Sequence, residues 1–185
     1  IFKTHNIQKF RAKQLIEYIY HRYIFDFEDM TQFPKDLRQW LGDNCVISLP
    51  TLITESIAPD GKTRKILVEM SDQSRVEAVL MEQHYGYSVC VSSQVGCAMG
   101  CVFCASTQGG LYRDLTVAEI LGQVVIFGAL TKEQIHSVVV MGAGEPLQNY
   151  DNVLQALQLL HDPVICNISY RKMTISTCGW VPNIY

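Results

Sequence analysis

From Tyr87 onward the chain repeats one rhythm: an apolar strand, a loop, then a helix. YSVCVSS (87–93) is the first strand, and TVAEILGQVVIFGAL (116–130) the helix after it. HSVVVMGAGEP (136–146) is a buried strand that runs into a glycine loop, YDNVLQALQLLH (150–161) the next helix, and KMTISTCG (172–179) a third strand. Thr116 followed three residues later by Glu119 predicts a capping box at the start of the first of these helices. Alternation of this kind gives a parallel sheet with helices packed outside. Three such strands do not close a barrel. The chain stops at Tyr185, just after WVPN, where another helix is expected, so it reads as a fragment. Its first residue is Ile rather than Met, so the natural start is expected upstream.

The first 83 residues read differently. IQKFRAKQLIEYIYHRY (7–23) puts Phe10, Leu15, Ile16, Ile19, Tyr20 and Tyr23 near one helical stripe, and a second helix is expected over Pro34–Leu41. Residues 1–48 are therefore expected to form a small helical unit. Lys9, Arg11, Lys13 and Arg22 give it a basic face, which suits RNA phosphates or simply solvent. TLITESI, TRKILVEM and RVEAVLME alternate, carry β-branched residues and are separated by the turn sequences PDGK and SDQS. They predict an antiparallel meander over 49–83 that links the helical unit to the α/β part, 84–185.

The loop between the first strand and its helix holds GCAMGCVFCAS, with Cys97, Cys101 and Cys104 inside eight residues. Structural zinc takes four ligands, generally as two separated pairs, so a zinc site here needs Cys90, His84 or Cys178 as a fourth donor. An iron–sulfur cube matches better: three thiolates hold three irons and leave one for a small chelating molecule. Gly96 and Gly100 permit unusual backbone angles beside a bulky cofactor. The loop follows the carboxyl end of a strand, where α/β sheets place ligands, and GAGEP (142–146) occupies the corresponding place on the next strand. Alone, that second loop reads equally as a tight turn; with the cysteine loop beside it, Glu145 becomes a candidate for a ligand's ammonium group.

Bulk properties narrow the setting. Seven cysteines, an odd number, with no secretion signal, favour a reducing cytoplasm over a disulfide scaffold. A net charge of -3 argues against indiscriminate nucleic-acid binding. No apolar run approaches the ~20 residues of a membrane span.

CxxxCxxC after the first strand, with Phe103 before the third cysteine, resembles the radical S-adenosylmethionine (SAM) signature. VEAVLM, CVSSQVGCAMGCVFCAS, GGLYRDLTVAEILGQV, MGAGEPLQNYDNV and ISTCGWVPNI together resemble the RlmN/Cfr family of RNA adenine methyltransferases. RAKQLIEYIYHR and FEDMTQFPKDLR resemble that family's N-terminal accessory domain, so the likeness runs from about residue 9 to the end. The resemblance implies an α/β fold: the first part of a (βα) radical SAM barrel, preceded by the helical accessory domain and the β-meander.

The resemblance also implies the chemistry. Cys97, Cys101 and Cys104 would hold a 4Fe–4S cluster, and Gly144, Glu145 and Ser176 would contact SAM at its open iron. An electron donor such as flavodoxin would reduce the cluster, and SAM would then yield a 5′-deoxyadenosyl radical. The family methylates an electrophilic ring carbon of adenine, in large-subunit ribosomal RNA and for some members in transfer RNA. It does so through a methylene radical on a methyl-carrying cysteine. Cys90 matches the second cysteine, which releases product by forming a disulfide, and Glu77 matches the carboxylate that takes the ring proton. Each has an ordinary reading as well, Cys90 as a small buried strand residue and Glu77 as a solvent-facing carboxylate. The methyl-carrying cysteine lies in the family beyond the position of Tyr185, so the chain by itself is expected to be inactive. Cys178 stands where members often have serine and is expected to be structural, as are Cys45 and Cys166. The competing readings are a radical SAM enzyme with another substrate and a metal-containing RNA-binding module without catalysis.

Overall fold

The computed structural model describes residues 2, 5 and 7–184. Among the described residues, eight strands and four α-helices make three parts of one assembly. The helical unit contains α1 (Lys9–Tyr20) and α2 (Lys35–Asn44), joined through a 3-10 turn at Phe27–Asp29. Its small core gathers Tyr18, Phe27, Met30, Phe33 and Leu41, with the Tyr18 and Phe33 rings edge to face at 5.6 Å. α1 is shorter than its apolar pattern suggests. Tyr23 takes a left-handed φ of 54°, which ends the helical path and turns its ring toward the rest of the protein. Phe10, expected on the apolar stripe, is about half exposed, and the Arg11 guanidinium lies over its ring at 4.7 Å.

A six-stranded sheet forms the body, in the order β1 (Thr51–Ile57), β2 (Thr63–Glu69), β3 (Arg75–Gln83), β4 (Gly86–Val91), β7 (Ile135–Val140) and β8 (Met173–Ile175). The three meander strands appear as expected, but they extend the sheet rather than stand apart. β3 pairs antiparallel with β4, Val79 opposite Cys90. β4, β7 and β8 then run parallel, as the α/β rhythm predicts. A separate two-stranded ribbon, β5 (Gln94–Gly96) with β6 (Leu111–Asp114), lies across the neck of the cysteine loop.

Alternation along the strands sorts the two faces. Val76, Ala78 and Leu80 on β3, Val89 and Val91 on β4, and Val138 and Val140 on β7 point into the core. There they meet α3 (Val117–Thr131) and α4 (Tyr150–His161). α3 carries the predicted capping box, the Thr116 side chain accepting from Glu119 N and the Glu119 carboxylate accepting from Thr116 N. It is buried without interruption from Ile120 to Gly128. Such a helix, apolar all round, needs cover on every side. The sheet supplies one side and the helical unit another. Tyr23 Oη donates to the Glu133 carbonyl at 3.2 Å, and His21 Nε2 lies 3.0 Å from the Val164 carbonyl. The opposite face of the sheet, which carries Glu77, Val79 and Cys90, is free of helices among the described residues and holds the candidate site.

Candidate functional site

The three cysteines sit in one loop whose neck is held shut. β5 and β6 pair Val95 with Arg113 and Gly96 with Leu111, and Cys97 N donates to the Gly110 carbonyl at 3.0 Å. Gly96 has a φ of +74°, and a Cβ there would run into Gly110 O, so only glycine closes this neck without strain. Within the loop Cys104 N donates to Cys101 O at 3.0 Å. The Thr107 hydroxyl accepts from Gly100 N at 2.8 Å and contacts Cys97 O at 3.3 Å. Cys97 is buried, Cys101 and Cys104 are half-buried, and Val102 and Phe103 stand out at the tip.

A buried polar layer fixes this loop to the neighbouring one. Gln123 of α3 reaches under the end of β4: its Oε1 accepts from Ser92 N at 2.8 Å, and its Nε2 donates to Ser92 O at 3.1 Å. The Ser92 hydroxyl donates to Glu77 O at 2.7 Å and accepts from Ala143 N at 2.9 Å. Asn149 Nδ2 donates to Ser93 O and Leu115 O, both at 2.7 Å. Gln94 bridges Asp114 and Glu145 N. Each of these buried amides is satisfied, which is the condition for a polar layer to rigidify rather than weaken a core. Gly144, with a φ of +107°, packs so closely on Gln94 that a Cβ would lie 2.6 Å from the glutamine Cβ.

Glu145 is almost wholly buried. Its Oε1 accepts from Leu147 N at 3.0 Å and from the Thr177 hydroxyl at 2.7 Å, and its Oε2 accepts from Cys178 N at 2.8 Å. Burial pushes this carboxyl up. The bonds from Cys178, Thr177 and Leu147 together outweigh that and hold it below the ordinary carboxylate range. The carboxylate thus ties the segment after β8 to the loop after β7. Ser176 lies in that segment, exposed, with its N–H on Val140 O at 3.3 Å. Cys178, expected to be structural, is an exposed thiol whose neighbour Glu145 pushes it up to about 11, with Cys101 acting in the same direction.

Cys90 and Glu77 lie on the helix-free face. A cavity of about 430 Å3 is lined by both, together with Val79, Gly96, Cys104 and Met141. Burial pushes the Cys90 thiol up, against a smaller opposing effect from the Met141 backbone. Glu77 is exposed, and its carboxylate pairs with Lys65 Nζ at 2.9 Å. All eight residues singled out from sequence therefore belong to one end of the sheet, at or beside the cysteine loop. Those missed are Gln94, Asn149 and Gln123, buried amides whose only signal in sequence is a polar residue inside an apolar context, and Thr177.

Three thiols on one loop are a donor set that suits a cube, which places each thiolate on a different iron. Two glycine positions at which a Cβ would collide with neighbouring chain keep the backbone of both loops close-packed at their base.

Residues 91–184 match the family model described as the radical SAM superfamily, and residues 1–47 the ribosomal RNA large subunit methyltransferase N-terminal domain. The chain is 49% identical over 178 residues to a probable dual-specificity RNA methyltransferase RlmN from Symbiobacterium thermophilum, covering 95% of this chain and 48% of that protein. A relative of the same name from Clostridium perfringens is 45% identical over 182 residues, covering 98% and 52%. The crystal structure of a radical SAM methyltransferase from Sphaerobacter thermophilus superposes with a TM-score of 0.91 at 36% identity, over 98% of this chain and 54% of that one. The chain spans about half the length of the curated relatives it matches.

Proposed function

The chain belongs to the radical SAM superfamily and, within it, to the RlmN/Cfr family, and from that premise we propose that it is the cofactor-binding half of an enzyme that methylates a ring carbon of adenosine in RNA. The observation that carries this reading is the shared cavity. It brings Cys104 of the three-thiol loop together with Cys90 and Glu77, two residues of nucleophilic and basic character on adjacent strands.

Cys97, Cys101 and Cys104 would hold the 4Fe–4S cluster, and Gly144, Glu145 and Ser176 the SAM. Once bound, the pair supplies the one-electron chemistry that generates a carbon radical. The chain's own residues do the rest. The polar layer around Ser92, Gln94 and Asn149 keeps the two ligand loops in one position. Glu77 faces the open side of the cavity, where an RNA base can enter, and as a carboxylate it can accept a proton from the ring carbon. Cys90 lies deeper on the next strand and, as thiolate, would attack the sulfur that links protein to base: the sulfur–sulfur bond forms as the sulfur–carbon bond breaks, and the methylene carbon, keeping that electron pair, takes up a proton to become the methyl group of the freed product. The base must leave its stack to reach this cavity, which a single-stranded loop permits more cheaply than a duplex. Large-subunit ribosomal RNA suits the description of the matched N-terminal family model, and transfer RNA as a second substrate suits the dual specificity in the relatives' names. A one-electron donor such as flavodoxin and a cytoplasmic location complete the reading. Among the described residues no helix is long and apolar enough to cross a membrane.

The test is mass spectrometry of nucleosides from ribosomal and transfer RNA of cells with and without the full-length gene. A methyladenosine that disappears on deletion and returns on complementation supports the reading. RNA that is unchanged by deletion overturns it.

A further inference from the structure

Gln94 is fully buried, and its side chain grips two loops at once. Nε2 donates to Asp114 Oδ1 at 2.7 Å, and Oε1 accepts from Glu145 N at 2.8 Å. The two partners fix the amide's orientation: a carboxylate can only accept and an N–H can only donate. Asp114 ends β6, the strand that returns from the cysteine loop, and pairs across the ribbon with Gln94 itself. Glu145 follows Gly144, which lies so close to Gln94 that a Cβ added to it would sit 2.6 and 2.8 Å from the glutamine Cβ and Cγ. The backbone adds to the grip, Gln94 N donating to the Ala143 carbonyl at 3.1 Å. Cys97 is three residues further along the same segment.

A buried glutamine that only satisfied its own amide could use any pair of nearby groups. This one uses the base of the three-thiol loop and the first N–H of the residue that carries the site's buried carboxylate. We propose that Gln94 is a positioning residue that sets the spacing between the cysteine loop and the Gly144–Glu145 loop, so that SAM, which must span them, meets both at once. The proposal rests on the assignment of cluster and SAM to those loops. It predicts a separation of effects: the cluster's own ligands are untouched by a change at Gln94, while the second loop loses its anchor.

The experiment uses the full-length protein, reconstituted with iron and sulfide without oxygen, as wild type, Gln94→Leu and Gln94→Glu. Iron and sulfide content and cluster absorbance report the first loop, and equilibrium dialysis against SAM reports the pair. Gln94→Leu should keep its iron and bind SAM about tenfold more weakly, since it leaves the Glu145 N–H unpaired in a buried place. Gln94→Glu carries a sharper signature. Its ionised form faces Asp114 and repels it; its protonated form can donate to Asp114 and still accept from Glu145 N. Its SAM affinity should therefore recover as pH falls from about 8.5 to about 6.5, more steeply than wild type. Loss of iron in parallel with SAM binding in both variants, wild-type SAM affinity in Gln94→Leu, or a wild-type pH profile in Gln94→Glu overturns the proposal. Should Gln94→Leu fail to fold, the Gln94→Glu profile decides. A wild-type protein that fills with iron and binds no SAM overturns both this proposal and the assignment beneath it. Normal wild-type binding with unaffected variants overturns this proposal alone.

Discussion

Cys90 and Cys104 line the same cavity, although one lies within β4 and the other closes the cysteine loop fourteen residues later. The strand supplies the reason. Val89 and Val91 point into the core, so the pleat turns Cys90 to the opposite face, toward the loop that β4 feeds. A thiol placed there is available to whatever the cavity holds.

In the full-length protein, Cys90→Ala should leave cluster assembly intact and block release. RNA should accumulate covalently on the protein, seen as a slow band on a denaturing gel that nuclease removes. Because burial raises this thiol above its ordinary value, the thiolate is scarce near neutrality, and release by the wild type should speed up as pH rises toward about 9. Normal turnover with no trapped adduct would reduce Cys90 to a packing residue.

Glu145→Gln removes the charge but keeps one acceptor oxygen. SAM affinity should fall by about 10–100-fold, the equivalent of roughly 1.5–3 kcal/mol for a charge-assisted bond. Thr177→Val should show a smaller loss, since the Thr177 hydroxyl aims the carboxylate at 2.7 Å rather than charging it, and Thr177→Ser should restore most of it. Equilibrium dialysis with SAM checks both; equal affinities across the four proteins would remove Glu145 from the binding site.

What the sequence showed and what it hid divide along the distance between interacting residues. The Thr116–Glu119 capping box is local and was legible, as was the strand at β4, an apolar run beginning at Tyr87. The β5–β6 ribbon was not. Its strands are three and four residues long, too short to show alternation, and a fourteen-residue loop separates them. Gln94 and Asn149 look in sequence like surface residues of a loop, because their partners come from segments 20 to 56 residues away. The bond from Cys178 N–H to Glu145 Oε2 spans 33 residues and leaves no sign in the sequence around either one. Phe10 fits the helical stripe, yet Arg11 rather than the core covers it.

Gly96→Ala tests the neck of the cysteine loop. A left-handed backbone costs a non-glycine residue about 1–3 kcal/mol, and here the added methyl also meets Gly110 O. The ribbon should open and iron uptake on reconstitution should fall well below that of the wild type, with far-UV circular dichroism little changed. Full iron content in this variant would mean that the thiols find the cluster without the neck.

Arg113 offers a test by acid. Its guanidinium holds Asp72 of the β2–β3 turn at 2.7 and 3.0 Å and Glu119 of the capping box at 2.8 and 2.9 Å. It thereby ties the turn, the returning strand β6 and the start of α3 into one corner. The Arg113 bonds hold the Asp72 carboxyl well below the ordinary carboxylate range. For Glu119 burial pushes the other way, and Arg113 with Thr116 outweighs it, so this carboxyl is lowered too. A carboxyl depressed in the folded state contributes stability that is complete above its unfolded value and is lost as pH falls through the folded one. Arg113→Met should therefore lower the urea midpoint of the metal-free full-length protein at about pH 7. The gap to wild type should narrow toward about pH 3, as protonation takes from the wild type what the substitution has already removed. Solvent screening at the more exposed Asp72 leaves Glu119 as the larger contributor, so Glu119→Gln should reproduce most of the pH-dependent part. A deficit of the same size at both pH values would assign Arg113 to packing alone.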